Sequence, residues 1–170
     1  SSNAGASSGS TAHADYLGYL TTSAETNQNL PSWRGSYFLT DANLIGKWLT
    51  VVALNENDAI TSYSNGCGVA KNYCISAPGG ELNFGRDAGI YSTVNQSDST
   101  ESGDYAYKQG TSMAAPVVSG SIALLKEQFP NLTPTQLVDL LISTATDLGS
   151  AGVDEIYGVG KINLGSAATP

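Results

Sequence analysis

The twenty residues from Gly110 to Phe129 constrain this chain more than any other stretch. Met113, Val117, Ile122, Leu125 and Phe129 recur at intervals of four, five, three and four, with Val118 and Leu124 widening the stripe. That spacing is helical, and its breadth predicts a helix with much of its surface buried. Small residues at Ala114, Ala115, Ser119, Gly120 and Ala123 allow close packing on other elements. Pro116 falls four residues after Ser112, near enough to the start that its missing N–H costs little, so the helix is expected to begin near Ser112. A second helix is signalled by Thr133-Pro134-Thr135-Gln136, which supplies a capping residue, a Pro at the first helical position and a Gln at the third. Leu137, Val138, Leu140, Leu141 and Ile142 give it an apolar face, and it is expected to stop before Asp147-Leu148-Gly149.

Upstream, the pattern is that of strands. The β-branched run Trp48 to Leu54 ends at the polar turn Asn55-Glu56-Asn57-Asp58 and reads as a buried strand. Shorter strands are expected over Tyr73 to Ala77, stopped by Pro78-Gly79-Gly80, and over Gly89 to Val94, followed by a polar loop from Asn95 to Asp104. Strands followed by helices in this order favour an α/β fold. Residues 1–47 lack a sustained period and read as a loop-rich N-terminal segment or insertion, with residues 48–170 as the folded unit.

A length of 170 residues suits one domain, able to bury roughly two thirds of its unfolded surface. Seven Lys and Arg against fifteen Asp and Glu leave a net charge of −8, which repels nucleic acid and anionic membrane surfaces. Trp48 to Leu54 is also the longest apolar run, far short of the roughly 20 residues a membrane helix needs. Ser1-Ser2-Asn3-Ala4-Gly5 shows no basic region or apolar core of a signal peptide, and Ser2-Asn3-Ala4 equally matches a cloning scar. Cys67 and Cys74 stand seven positions apart among Gly66, Gly68 and Asn72, turn residues able to bring them together. A local disulfide is the preferred reading, two unpaired thiols the alternative. Closing so short a loop stabilises by about 2 to 3 kcal/mol and belongs in an oxidising compartment. With the distant His13, two cysteines are too few ligands for zinc, and no metal site is expected.

In Gly110-Thr111-Ser112-Met113-Ala114-Ala115-Pro116 a serine stands at a helix start beside a flexible glycine. The first-turn amides and the positive end of the helix dipole would stabilise an oxyanion formed when its hydroxyl attacks a carbonyl. Physical reasoning alone favours an ordinary helix cap. The same seven residues, followed by Val117-Val118-Ser119-Gly120, resemble the nucleophile motif of the subtilisin-like serine proteases, the subtilases. The resemblance continues through Ile122-Ala123-Leu124-Leu125, Phe129-Pro130, Leu132-Thr133-Pro134 and Tyr157-Gly158-Val159-Gly160, and upstream through Ser62-Tyr63-Ser64-Asn65 and Ala77-Pro78-Gly79, so it covers roughly Trp48 to Ala168. Asn65-Gly66-Cys67-Gly68-Val69-Ala70 with its cysteine pair, together with the Tyr157 segment, is similar in particular to autotransporter-type bacterial subtilases. This resemblance implies an α/β fold that is part of a doubly wound parallel sheet, with a buried helix starting at the nucleophile. It implies a secreted or cell-surface serine endopeptidase acting on peptides or proteins without a cofactor. Ser112 would be the nucleophile, its own backbone N–H part of the oxyanion hole, and Thr111 and Gly110 would lie beside the substrate.

The family orders its triad Asp, His, Ser, which puts acid and base well before Ser112. His13, the one histidine, stands in Thr-Ala-His-Ala-Asp-Tyr rather than a His-Gly-Thr setting and reads as a surface residue. Asp15, Asp41 and Asp58 read as loop or turn. The expectation is therefore a C-terminal part of a catalytic domain, inactive until joined to an N-terminal part that brings the Asp and His. Asn3, in Ser2-Asn3-Ala4-Gly5, is the candidate for the side-chain Asn that subtilases place in the oxyanion hole. Subtilases often bind calcium, but Asp98, Glu101 and Asp104 match no defined loop and read more simply as a solvated face. Tyr105 and Tyr107 alternate with Ala106 as in a short strand leading to Ser112, and packing is their expected role. A lipase elbow, Gly-x-Ser-x-Gly, is excluded by Ala114 and by the lack of any His after the serine. The alternative of a different class is a degenerate protease domain kept as a binding module or scaffold.

Overall fold

The computed structural model describes residues 41, 43–95 and 104–169. Strand β1 (Thr50–Leu54) is buried along its whole length and pairs in parallel with β2 (Cys74–Pro78), from Thr50 opposite Cys74 to Leu54 opposite Pro78. A strand buried on both faces needs the continuous apolar run that Val51-Val52-Ala53-Leu54 provides. It begins at Thr50 rather than Trp48, which is exposed. After β1 the chain doubles back because Asn55 Oδ1 accepts from the Asn57 and Ala59 amides at 3.0 and 3.1 Å, bringing Ile60 antiparallel to Leu54. Between the two strands, a 3₁₀ turn over Gly68–Tyr73 is closed by the Cys67–Cys74 disulfide, with both cysteines fully buried. The expected pairing is thus formed.

The second edge of β2 is covered by a segment the sequence pattern does not announce. Val159 N–H donates to the Cys74 carbonyl at 2.9 Å, Ser76 N–H to Gly160 at 2.9 Å, and Ile162 N–H to Ser76 at 2.8 Å. Residues 159–162 therefore run beside β2 as a third, irregular parallel strand, anchored at Lys161 by an ion pair to Asp58 at 2.7 Å.

Helix α1 (Thr111–Gln128) packs across β1 and β2, and α2 (Pro134–Ser143) and α3 (Leu164–Ala168) pack against it. Thr111, Ala114, Val118, Ser121 and Leu125 form its buried stripe, spaced three, four, three and four, facing Val51, Ala53, Ile75 and Ala77. Burial is confined to this face, since Leu124 on the outer side is 55% exposed. Pro116 lies inside α1 as its sixth residue, deeper than the first turn, so it removes the amide that would reach back to the Ser112 carbonyl. Thr133 caps α2 as expected: its hydroxyl accepts from Gln136 N–H at 3.3 Å while the Gln136 side chain accepts from Thr133 N–H at 2.9 Å.

A separate antiparallel hairpin joins β3 (Ile90–Thr93) to β4 (Tyr105–Lys108) and leads into α1. Tyr91 stacks on Tyr105 and Tyr107 with ring centroids 5.3 and 4.7 Å apart, and the Arg86 guanidinium lies 5.1 Å over Tyr107. These ring contacts fit the packing role expected of Tyr105 and Tyr107 on a short strand. Most of residues 1–47 lies outside the described residues, and so does most of the Asn95 to Asp104 stretch.

Candidate active site

Gly110 connects β4's exit to the first turn of α1. Its φ of 144° is open to glycine and strained for other residues. Gly110 N–H donates to the Gly79 carbonyl at 2.9 Å and to the Tyr63 hydroxyl at 3.0 Å. The Gly110 carbonyl accepts from Met113 and Ala114 N–H at 2.9 and 3.2 Å. This one residue thus ties the end of β2 to the start of the helix. Gly79 must be small for the same junction, because a Cβ there would stand 2.5 Å from the Ala53 side chain.

Thr111 turns inward and is fully buried, whereas Ser112 is exposed at the second helical position. The side chain expected to react therefore faces outward from the helix end whose amides and dipole favour a developing negative charge. Beside it opens a cleft of about 370 Å³ lined by Ile90, Thr93, Val94 and Lys108 of the hairpin and by Ser112, Met113, Pro116 and Val117 of α1. Met113, Pro116 and Val117 form its floor on the helix side, and Lys108 contributes its positive charge.

Behind the junction lies a polar cluster to which the sequence reading gave no role. Glu81 is only 4% exposed, and its two carboxylate oxygens accept from Ser62 N–H at 2.8 Å and Asn55 Nδ2 at 3.1 Å. Burial pushes its carboxyl up, but the hydrogen bonds from the Ser62 side chain and amide and from Asn55 outweigh that and leave it below its ordinary value. Tyr63 extends from this loop to the junction, its hydroxyl donating toward the Gly79 and Gly80 carbonyls. Burial holds the Tyr63 phenol above its ordinary value, against hydrogen bonds with Thr61 and Gly110 and with a contribution from the Glu81 charge. Ser62-Tyr63-Ser64-Asn65 is visible in the sequence as a segment, but Tyr63's target lies 47 residues away and only the fold reveals it.

Of the three motif residues the structure places only Ser112 at the cleft: Gly110 and Thr111 are buried behind it, so neither offers a side chain to the substrate position expected for them. Asn3, His13 and Asp15 lie outside the described residues, as do Asp98 and Glu101 of the calcium candidates, while Asp104 is exposed. Asp41 is exposed and Asp58 is engaged by Lys161. Among the described residues, no three His, Cys, Asp or Glu side chains gather as a metal site.

Residues 2–160 match the family model described as "Subtilase family". The chain belongs to the subtilase family. It is 42% identical over 121 residues to "Serotype-specific antigen 1" of Mannheimia haemolytica, covering 70% of this chain and 12% of that protein. An "Extracellular serine protease" of Serratia marcescens is 34% identical over 157 residues, covering 83% of this chain and 14% of the relative. The "Neisserial autotransporter lipoprotein NalP" of Neisseria meningitidis is 34% identical over 105 residues, covering 61% and 8%. An autotransporter is thus among the relatives, in line with the resemblance of the Cys67 and Tyr157 segments. The crystal structure of a lanthipeptide protease superposes with a TM-score of 0.60 at 27% identity, over 71% of this chain and 40% of that one. The subtilase chain accordingly has part of a subtilisin-like α/β fold, and it spans less than a sixth of the length of each of the three sequence relatives.

Proposed function

We propose that this chain carries the nucleophile of a secreted or cell-surface serine endopeptidase, and that residues outside it bring the Asp and His of the triad. The observation carrying this reading is the exposure of Ser112 at the second position of α1, beside a cleft, within the seven-residue subtilase motif. In the assembled enzyme the His takes the Ser112 hydroxyl proton as the oxygen attacks the scissile carbonyl. The same His then protonates the leaving amine, and water releases the acyl-enzyme. The first-turn amides of α1, Ser112 N–H among them, face the oxyanion that forms, and Asn3 is the proposed side-chain donor to it. Gly110 and Thr111, both buried, supply the backbone from which Ser112 projects. The buried Cys67–Cys74 disulfide and the extracellular and autotransporter relatives support placement outside the cytoplasm.

The test is to treat the full-length protein with a fluorophosphonate probe, map the modified residue by mass spectrometry, and compare Ser112→Ala. Labelling at Ser112 that vanishes in the variant, together with peptide hydrolysis, is the expected result. A folded full-length protein that neither labels nor hydrolyses peptides would instead make the domain a degenerate subtilase serving as a scaffold or binding module.

A further inference from the structure

We infer that Tyr63 is a positioning residue for the nucleophile, its hydroxyl fixing the backbone from which α1 departs. The inference rests on the protease reading above. A single phenol oxygen stands within hydrogen-bond reach of three backbone groups from two distant segments: the carbonyls of Gly79 and Gly80 at the end of β2, and the N–H of Gly110 at the start of α1. Gly110 has no side chain to hold it, so its orientation is set by what grips its amide and its carbonyl. The amide is gripped by Tyr63 and Gly79 and the carbonyl by Met113 and Ala114. The first turn of α1 is hydrogen-bonded onto the very peptide that Tyr63 holds. A displacement of Gly110 is therefore transmitted to the Ser112 hydroxyl and amide two residues on, within a span of about 7 Å.

Tyr63 is itself held firmly enough to act in this way. The preceding Ser62 amide donates to buried Glu81, and Glu81 is fixed in turn by the Asn55 side chain. The following Ser64 accepts from the Ala53 amide of β1 at 3.1 Å through its hydroxyl, and its own N–H donates to the Thr61 carbonyl at 3.1 Å. Both flanks of the tyrosine are thereby anchored to the central strand and its exit loop. Removing the hydroxyl leaves the ring in place but deprives the Gly79–Gly80 carbonyls of a donor and the Gly110 amide of one of its two acceptors. A loosened first turn changes how well the hydroxyl and oxyanion donors meet the transition state while leaving the peptide-binding surface in place. The signature is thus a loss in kcat rather than a rise in KM.

The experiment compares full-length wild type, Tyr63→Phe and Thr133→Ala on a peptide amide substrate, with rates expressed per fluorophosphonate-titrated site so that unfolded molecules do not count. Thr133 caps α2, far along the chain from the junction, and serves as the control for stability loss alone. Tyr63→Phe is expected to lower kcat about tenfold with KM within about twofold of wild type, whereas Thr133→Ala lowers the melting temperature and leaves both constants in place. A Tyr63→Phe enzyme whose kcat stays within about twofold of wild type overturns the inference alone, and so does a kcat loss that Thr133→Ala reproduces. A wild type that takes no label and cleaves nothing overturns the protease reading, and the inference with it.

Discussion

Replacing Gly158 with Ala pushes a methyl group into the place where the irregular third strand meets the disulfide. A Cβ at this position would lie 2.2 Å from the Cys74 carbonyl oxygen and 2.8 Å from Cys67 Sγ, and φ there is +67°. Neither neighbour is the free end of a side chain, since one belongs to the backbone of β2 and the other to a cross-link. The left-handed backbone costs a residue with a Cβ about 1 to 2 kcal/mol. Forcing a methyl into a packed site adds about 1 to 3 kcal/mol, for about 2 to 5 kcal/mol together. Gly152 isolates the first contribution: its φ is +83°, yet a Cβ there would meet nothing within 4 Å. Gly152→Ala should therefore cost only about 1 to 2 kcal/mol. Equilibrium urea unfolding of the full-length protein, read as midpoint shifts at constant slope, measures both. Gly158→Ala is expected to lose at least about 1 kcal/mol more than Gly152→Ala. Equal losses would refute the reasoning, because the segment would then have room to withdraw from the disulfide.

Two further outcomes follow from the polar cluster and the α2 cap. Glu81→Gln leaves an amide N–H facing one of two donors and should cost about 1 to 3 kcal/mol at neutral pH. The native carboxyl lies below its ordinary value, so its stabilisation is complete above the unfolded value near about 4.3 and is lost as pH falls through the lower native one. Urea midpoints taken from pH 7 downward should thus show the gap between wild type and Glu81→Gln narrowing below about pH 4.3, and a gap constant with pH would argue against a charged, hydrogen-bonded Glu81. Thr133→Ala removes one half of the reciprocal cap and is expected to cost about 1 kcal/mol by thermal unfolding; an unchanged transition would mean that α2 is held by Leu137 and Leu141 alone.

Local pattern carried much of the architecture. The β-branched run ending at Leu54 and the Thr133 cap each report an interaction within a few residues and formed as expected, whereas the buried stripe of α1 runs through Ala114, Val118 and Leu125 and leaves Met113, Val117, Ile122 and Phe129 of the apolar pattern only half-buried. Ser112 was legible through the motif around it rather than through physics, because a serine at a helix start is ordinarily a cap. Two kinds of feature stayed hidden. One is the choice of face: Val118 and Leu124 look equally apolar in sequence, but only the sheet decides that Val118 is covered and Leu124 is not. The other is contact across long sequence separation. Tyr63 reaches Gly110 and Ser76 bonds Gly160 through unions that no local period encodes, so the third strand and the tyrosine junction appear only once the chain has folded.

That third strand also sets an order of assembly. The outer edge of β2 is open until residues 159–162 arrive, since the Ser76 amide and carbonyl find their partners in Gly160 and Ile162. Chains emerge N-terminal end first. Ser112 is therefore synthesised, and α1 can coil, some 50 residues before the strand that α1 lies against acquires its second neighbour. During that interval β2 is an unpaired edge, the kind of surface that recruits stray strands. A protein emerging on this schedule gains from whatever keeps neighbouring nascent chains apart, and a truncation just before Tyr157 should be soluble far less often than one just after Ile162.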